Sequence, residues 1–162
     1  MSTFERDDFR WRETYFVLFD SCKRPTLKDV QRALRDVNDH FEFSGGTSDD
    51  DGRFESLTVL APDDYAALDI SYVSGEEVQE QGAAFYDEMR TSAIDKEEKE
   101  KLARLPKFDA RFDLMHFEQI SGSGSEDETD EMLDPSALLI ALEALVELTE
   151  GVGVDPQSGT VL

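Results

Sequence analysis

Chemistry needs a nucleophile, a set of metal ligands, or carboxylates in opposed environments, and this chain offers few of each. Its one cysteine, Cys22, stands in the stretch Cys22-Lys23-Arg24-Pro25-Thr26. Two cationic neighbours and a helix start just beyond would stabilise a thiolate, lowering the thiol pKa and raising the reactive fraction. Against this, no second cysteine is present to resolve a disulfide. Lys28, six residues on, stands where a cysteine-based phosphatase loop would need arginine. A single cysteine also excludes an intrachain disulfide and any multi-cysteine zinc site. Cys22 is the sole catalytic candidate, and the preferred reading of it is a loop cysteine without a catalytic role.

Asp49-Asp50-Asp51-Gly52 invites comparison with a calcium loop. With Gly52 at the sixth position, Asp49 and Asp51 fill the third and fifth. The first and twelfth are then Thr47 and Thr58, where a carboxylate and a bidentate glutamate are required. A solvated acidic turn fits better. Asp63 and Asp64 follow Pro62 in a second turn. Working as an acid–base pair would take a cleft that splits their pKa values, and a turn supplies none. These five carboxylates are instead the candidate binding residues for a cationic partner. His40 and His116 have no zinc-type spacing to each other or to a glutamate, and His116 reads as a partly exposed strand position. No metal or cofactor is expected.

The largest signal is charge. Of 162 residues, 38 are Asp or Glu and 16 Lys or Arg, a net charge of −22. It is uneven: residues 1–35 sum to +2 and residues 36–162 to −24. Such a chain repels nucleic acid and anionic membranes and attracts cationic surfaces. Arg6, Arg10, Trp11 and Arg12 are the one cation–aromatic cluster, and Glu5, Asp7, Asp8 and Glu13 neutralise it. That segment is expected to lie on the protein's own acidic surface or on a second copy. The longest apolar run, residues 138–142, is far short of the ~20 residues that span a bilayer. No signal peptide is read in residues 1–13, so the expected location is cytoplasmic.

The elements that must position these residues follow from pattern. Residues 14–20 (TYFVLFD) read as a buried strand. Thr26 with Asp29 forms a capping box before a helix whose apolar face is Leu27, Val30, Leu34 and Val37. Residues 40–43 form a short strand, 44–52 a loop, and 54–60 and 65–73 two strands. Ser74 with Glu77 predicts a second capping box, for a helix weakened by Gly82. Residues 95–105 predict a short charged helix, and 108–114 alternate as a half-buried strand. Residues 121–131 read as a flexible acidic linker. Asp134-Pro135 opens a helix over 136–150 that is apolar nearly all round, with Glu143, Glu147 and Glu150 as one wet stripe and Gly151 as its stop. Strands at 152–154 and 160–162 complete the chain.

This order predicts one α+β domain over residues 1–162. It has a single largely antiparallel sheet with helices packed on one face, a ferredoxin-like or related split β-α-β arrangement, and an N-terminal arm at 1–13. Residues 54–73 (FESLTVLAPDDYAALDISYV) and the last stretch resemble small uncharacterised bacterial proteins. That resemblance carries no catalytic motif and implies only a bacterial cytoplasmic origin. Two functions remain open. One is a non-catalytic acidic protein binding a basic protein, as nuclease inhibitors and immunity proteins do. The other is a thiol-based enzyme or redox-responsive protein centred on Cys22.

Overall fold

The β-branched and aromatic residues of the first apolar run form the middle of a seven-stranded antiparallel sheet. In the computed structural model, residues 9–62, 66–93, 95–119 and 136–162 are described. The expected linker at 121–131, Asp63, Asp64 and the Asp134-Pro135 helix start lie outside them. The strands are β1 (Phe9–Phe19), β2 (Glu42–Ser48), β3 (Phe54–Ala61), β4 (Ala66–Ser74), β5 (Ala110–Gln119), β6 (Val152–Asp155) and β7 (Thr160–Val161). The helices are α1 (Leu27–Val37), α2 (Glu76–Met89), α3 (Lys96–Arg104) and α4 (Ser136–Thr149). Strand order is β2-β3-β4-β5-β1-β6-β7, with every neighbouring pair antiparallel. The fold is α+β, and no described helix is long and apolar enough to cross a membrane.

β5, α4 and β6 make a split β-α-β unit, because both strands run antiparallel to β1, which lies between them. Three strands, β2 to β4, separate α1 from α2, one more than the β-α-β-β-α-β order contains.

The helices cover both faces of the sheet, not one. Alternate residues of β1 point to opposite sides. Val17 and Phe19 join a core with Val30 and Leu34 of α1 and Leu138, Leu142 and Leu145 of α4. Leu18 joins a second core on the other side, with Val78 and Phe85 of α2, Leu102 of α3 and Leu105. The first core holds the larger aromatic group, with Phe112 4.7 Å from Phe19 and 5.2 Å from Phe54 between ring centroids. Residues 15–19 carry apolar side chains at every position, which is the pattern of a strand buried on both faces, and a second helical layer is its consequence.

Several boundaries move. Residues 9–13, expected in an arm, belong to β1, which pairs with β5 from Phe9↔Gln119 onward and bulges between Trp11 and Glu13. β2 runs through Ser44-Gly45-Gly46, where a loop was expected. Its two register shifts against β3 take up the glycines, and Gly45 sits at φ 61. The Thr26 capping box forms: Asp29 N–H donates to the Thr26 hydroxyl at 3.1 Å. The Ser74 box does not. Ser74 ends β4, and the N-cap of α2 is Gly75 at φ 128, a conformation that favours glycine. Gly82 is buried where α2 crosses the 3₁₀ turn Leu105–Lys107; a Cβ there would stand 2.3 Å from the Leu105 carbonyl oxygen. Gly151 is likewise a close-approach position, with an added Cβ 2.4 Å from the Leu18 carbonyl oxygen. The left-handed residue ending α4 is Glu150, at φ 56.

Candidate functional site

Cys22 is exposed, in a single 3₁₀ turn (Ser21–Lys23) between β1 and α1. The Asp20 carboxylate caps that turn, accepting the Cys22 N–H at 3.0 Å. The same carboxylate, through a hydrogen bond to the thiol, holds the Cys22 pKa above its ordinary value, with desolvation adding to it. Neither expected cation reverses this. Lys23 pairs with Glu150 at 2.7 Å. Arg24 donates twice to the Phe54 carbonyl, at 3.0 and 2.7 Å, and lies over the Tyr72 ring at 4.0 Å. The N-cap of α1 is Thr26, four residues beyond the cysteine. The lowered thiol pKa expected from Lys23 and Arg24 is therefore a raised one, because the Asp20 hydrogen bond and desolvation outweigh the charge of Lys23.

The acidic loop is partly consumed by its own turn. Asp49 accepts the backbone N–H groups of Asp51 and Arg53, both at 2.9 Å, and lies 3.4 Å from Arg24. The Arg53 backbone bond, more than any charge, holds its carboxyl below the usual range. Asp51 pairs with Arg53 at 3.3 Å. Asp50 is exposed.

Beside the β1 bulge, Arg10 donates to Glu118 at 2.6 Å through Nε, and Arg12 lies 3.6 Å from it. Arg10 and Arg12 of the cation–aromatic cluster thus meet one of the protein's own carboxylates, Trp11 is exposed, and Arg6 lies outside the described residues. His116 is buried at 3% exposure, not partly exposed as the sequence suggests, because its strand face lies under the α1–α4 layer. Its Nδ1 faces Glu13 at 3.4 Å without hydrogen-bond alignment, and neither ring nitrogen has a partner. His40 is exposed near Asp39. Among the described residues no three or more His, Cys, Asp or Glu side chains converge as a metal site.

What the residues do bring together is acidic helical surface. α2 exposes Glu76, Glu77, Glu80, Asp87 and Glu88 and contains no Lys or Arg. α4 buries Leu138, Leu142 and Leu145 and exposes Glu143, Glu147 and Leu139, the last at 41%. A hollow of about 410 Å³ lies on one side of α4, floored by Leu139, Leu142, Val146 and Leu162 and rimmed by Glu143, Glu147 and Lys101. A second, of about 280 Å³, lies toward α1, floored by Ala33, Val37, Ala144 and Leu148, with Asp36 and Glu147 at its rim. The sequence marked Glu143 and Glu147 as a wet stripe but not the apolar hollows beside it. The signal was an excess of apolar residues in α4 over what one core face can bury. Neither a protein-family model nor a curated protein matches the chain.

Proposed function

We propose that this is a non-catalytic acidic protein that binds a basic protein partner. The observation that carries the reading is the exposed face of α2, where five carboxylates stand with no cation in the helix. A field of one sign over a helix face steers oppositely charged proteins and speeds their encounter. Glu76 and Glu77 also favour the helix N-terminus, which accounts for two of the five without a partner. Glu80, Asp87 and Glu88 have no such account. The proposed setting is the bacterial cytoplasm, in keeping with the resemblance of residues 54–73. Thiol chemistry at Cys22 draws no support from its turn.

The test is stopped-flow association with an unstructured Lys/Arg peptide lacking apolar residues. The rate should fall steeply as salt shortens the Debye length from ~30 Å at 0.01 M to ~8 Å at 0.15 M. Replacing Glu80, Asp87 and Glu88 by Gln, Asn and Gln should slow association at low salt with the melting temperature held. Unchanged association alongside lower solubility would mean that the charge serves solubility, and would end the binding reading.

A further inference from the structure

Resting on that reading, we propose that the outer face of α4 is a docking groove for a basic amphipathic helix of the partner. Two observations carry this, one of apolar shape and one of where the charges stand. First, the apolar surface is arranged, not scattered: hollows of about 410 and 280 Å³ flank one ridge. Their most exposed apolar residues are Leu139 and Leu162, both at 41%, and Val37 at 45%. Secondly, Glu147 stands at the rim of both hollows, with Glu143 one turn before it and Asp36 across on α1. Among the described residues these three carboxylates have no salt-bridge partner. A ligand that fits must therefore place apolar side chains on both sides of a line of carboxylates and cations along that line. A helix does so with Lys or Arg at i and i+4, leucines at i+3 and i+7 on one side of them, and leucines at i+1 and i+8 on the other. Leu139 to Leu148 covers ~14 Å of α4, about three turns of such a ligand.

The other occupants fit poorly. A two-fold contact between copies would set this carboxylate line near its own equivalent. The one cation at the rim, Lys101, already faces Glu97 at 3.5 Å and donates to the Leu162 carbonyl at 3.1 Å. Residues 120–135 contain no Lys or Arg, and residues 1–8 contain only Arg6. Added strands are also disfavoured: β7 is two residues long, and edge strand β2 is interrupted by two register shifts.

The test uses the full chain and two synthetic peptides of identical Leu, Lys and Arg composition. One has its cations at i and i+4 between leucines at i+3 and i+7 and leucines at i+1 and i+8; the other is scrambled. Fluorescence anisotropy should give the amphipathic peptide at least about tenfold tighter binding than the scrambled one. Leu139→Ser should weaken it about fivefold or more without changing the salt slope. Glu143→Gln with Glu147→Gln should weaken it and flatten the salt slope. Circular dichroism melting confirms that each variant is folded, as exposed substitutions permit. Equal binding of the two peptides, or binding that responds to α2 variants and not to α4 variants, would overturn the groove while leaving the charge reading intact. Failure of both peptides to bind would overturn the charge reading as well. A concentration-dependent dimer abolished by Leu139→Ser would assign the face to a second copy and overturn the proposal.

Discussion

Asp69 lies mid-strand in β4, between Thr58 of β3 and Met115 of β5, and desolvation alone raises its pKa above the ordinary 3.8. The folded state therefore holds that proton more tightly than the unfolded chain. As pH rises from below 3.8, the unfolded carboxyl ionises first and stability falls; above the folded pKa the whole penalty is present. Asp69→Asn should raise the melting temperature at pH 7, and the gain should close as the pH drops below 3.8. A gain of the same size at both pH values would mean that ionisation is not its source. The Cys22 turn makes the opposite kind of statement. With Asp20 against the thiol, iodoacetamide should label Cys22 at ordinary or slower thiol rates near neutral pH, accelerating only in alkali. Rapid single-site labelling at pH 7 would restore thiol chemistry as a function. The sequence identified this residue and its charged neighbours, but not which neighbour governs the thiol. That depends on how a three-residue turn folds, and Lys23 is drawn away by a residue 127 positions later.

Elements were legible wherever a local pattern and its tertiary use agree. The Thr26 box is closed within four residues, so its hydrogen bonds needed nothing from elsewhere. The alternation held from Ala110 through Leu114, where Ala110, Phe112 and Leu114 meet the first core; Phe108 precedes β5 and joins the second core, and Arg111 and Asp113 are half-buried where water was expected. Where packing overrides propensity the reading fails. Ser44-Gly45-Gly46 has the composition of a loop, yet β3 holds it as an edge strand. Ser74 has the chemistry of a cap, but pairing with Ala110 keeps it in the sheet and passes the cap to Gly75. Gly82 is the sharpest case. By helix propensity alone Gly82→Ala should gain about 1 kcal/mol. With the Leu105 carbonyl 2.3 Å from the new Cβ, and backbone on both sides, it should instead lower the melting temperature. Thermal unfolding decides the sign, and stabilisation would mean that α2 and the 3₁₀ turn are not in close contact.

Over the whole molecule, a sheet covered on both sides places exposed acids on helix outer faces such as that of α2 and on loops such as residues 49–51, with Asp69 and Glu118 kept within the sheet. That is why a net charge of −22 is compatible with a core of this size. The α+β class and the antiparallel sheet followed from the order of elements. The two-sided packing was recorded only in the unbroken apolar run of residues 15–19, since alternation elsewhere permits either arrangement. The candidate surface was half legible: its charges are visible in composition, while its hollows exist only once α4 lies beside α1 on one side and beside Lys101 and Leu162 on the other.

The position of β1 has a bearing on how the chain is made. β2, β3 and β4 each pair with the strand next to them in sequence. β1 is synthesised first, yet its partners are β5, in register from Phe9↔Gln119, and β6, from Phe16↔Val154. At ~5–20 residues per second, its first partner leaves the ribosome on the order of ten seconds later. Through that interval the apolar run of residues 15–19 within β1 is a free β-segment of the kind that aggregates. Arg10, Arg12 and Glu13 before it and Asp20, Lys23 and Arg24 after it occupy the positions of gatekeeper charges, which keep a waiting strand from pairing with its copies on neighbouring nascent chains. The charges that do little as a catalytic site thus guard the strand on which the sheet closes.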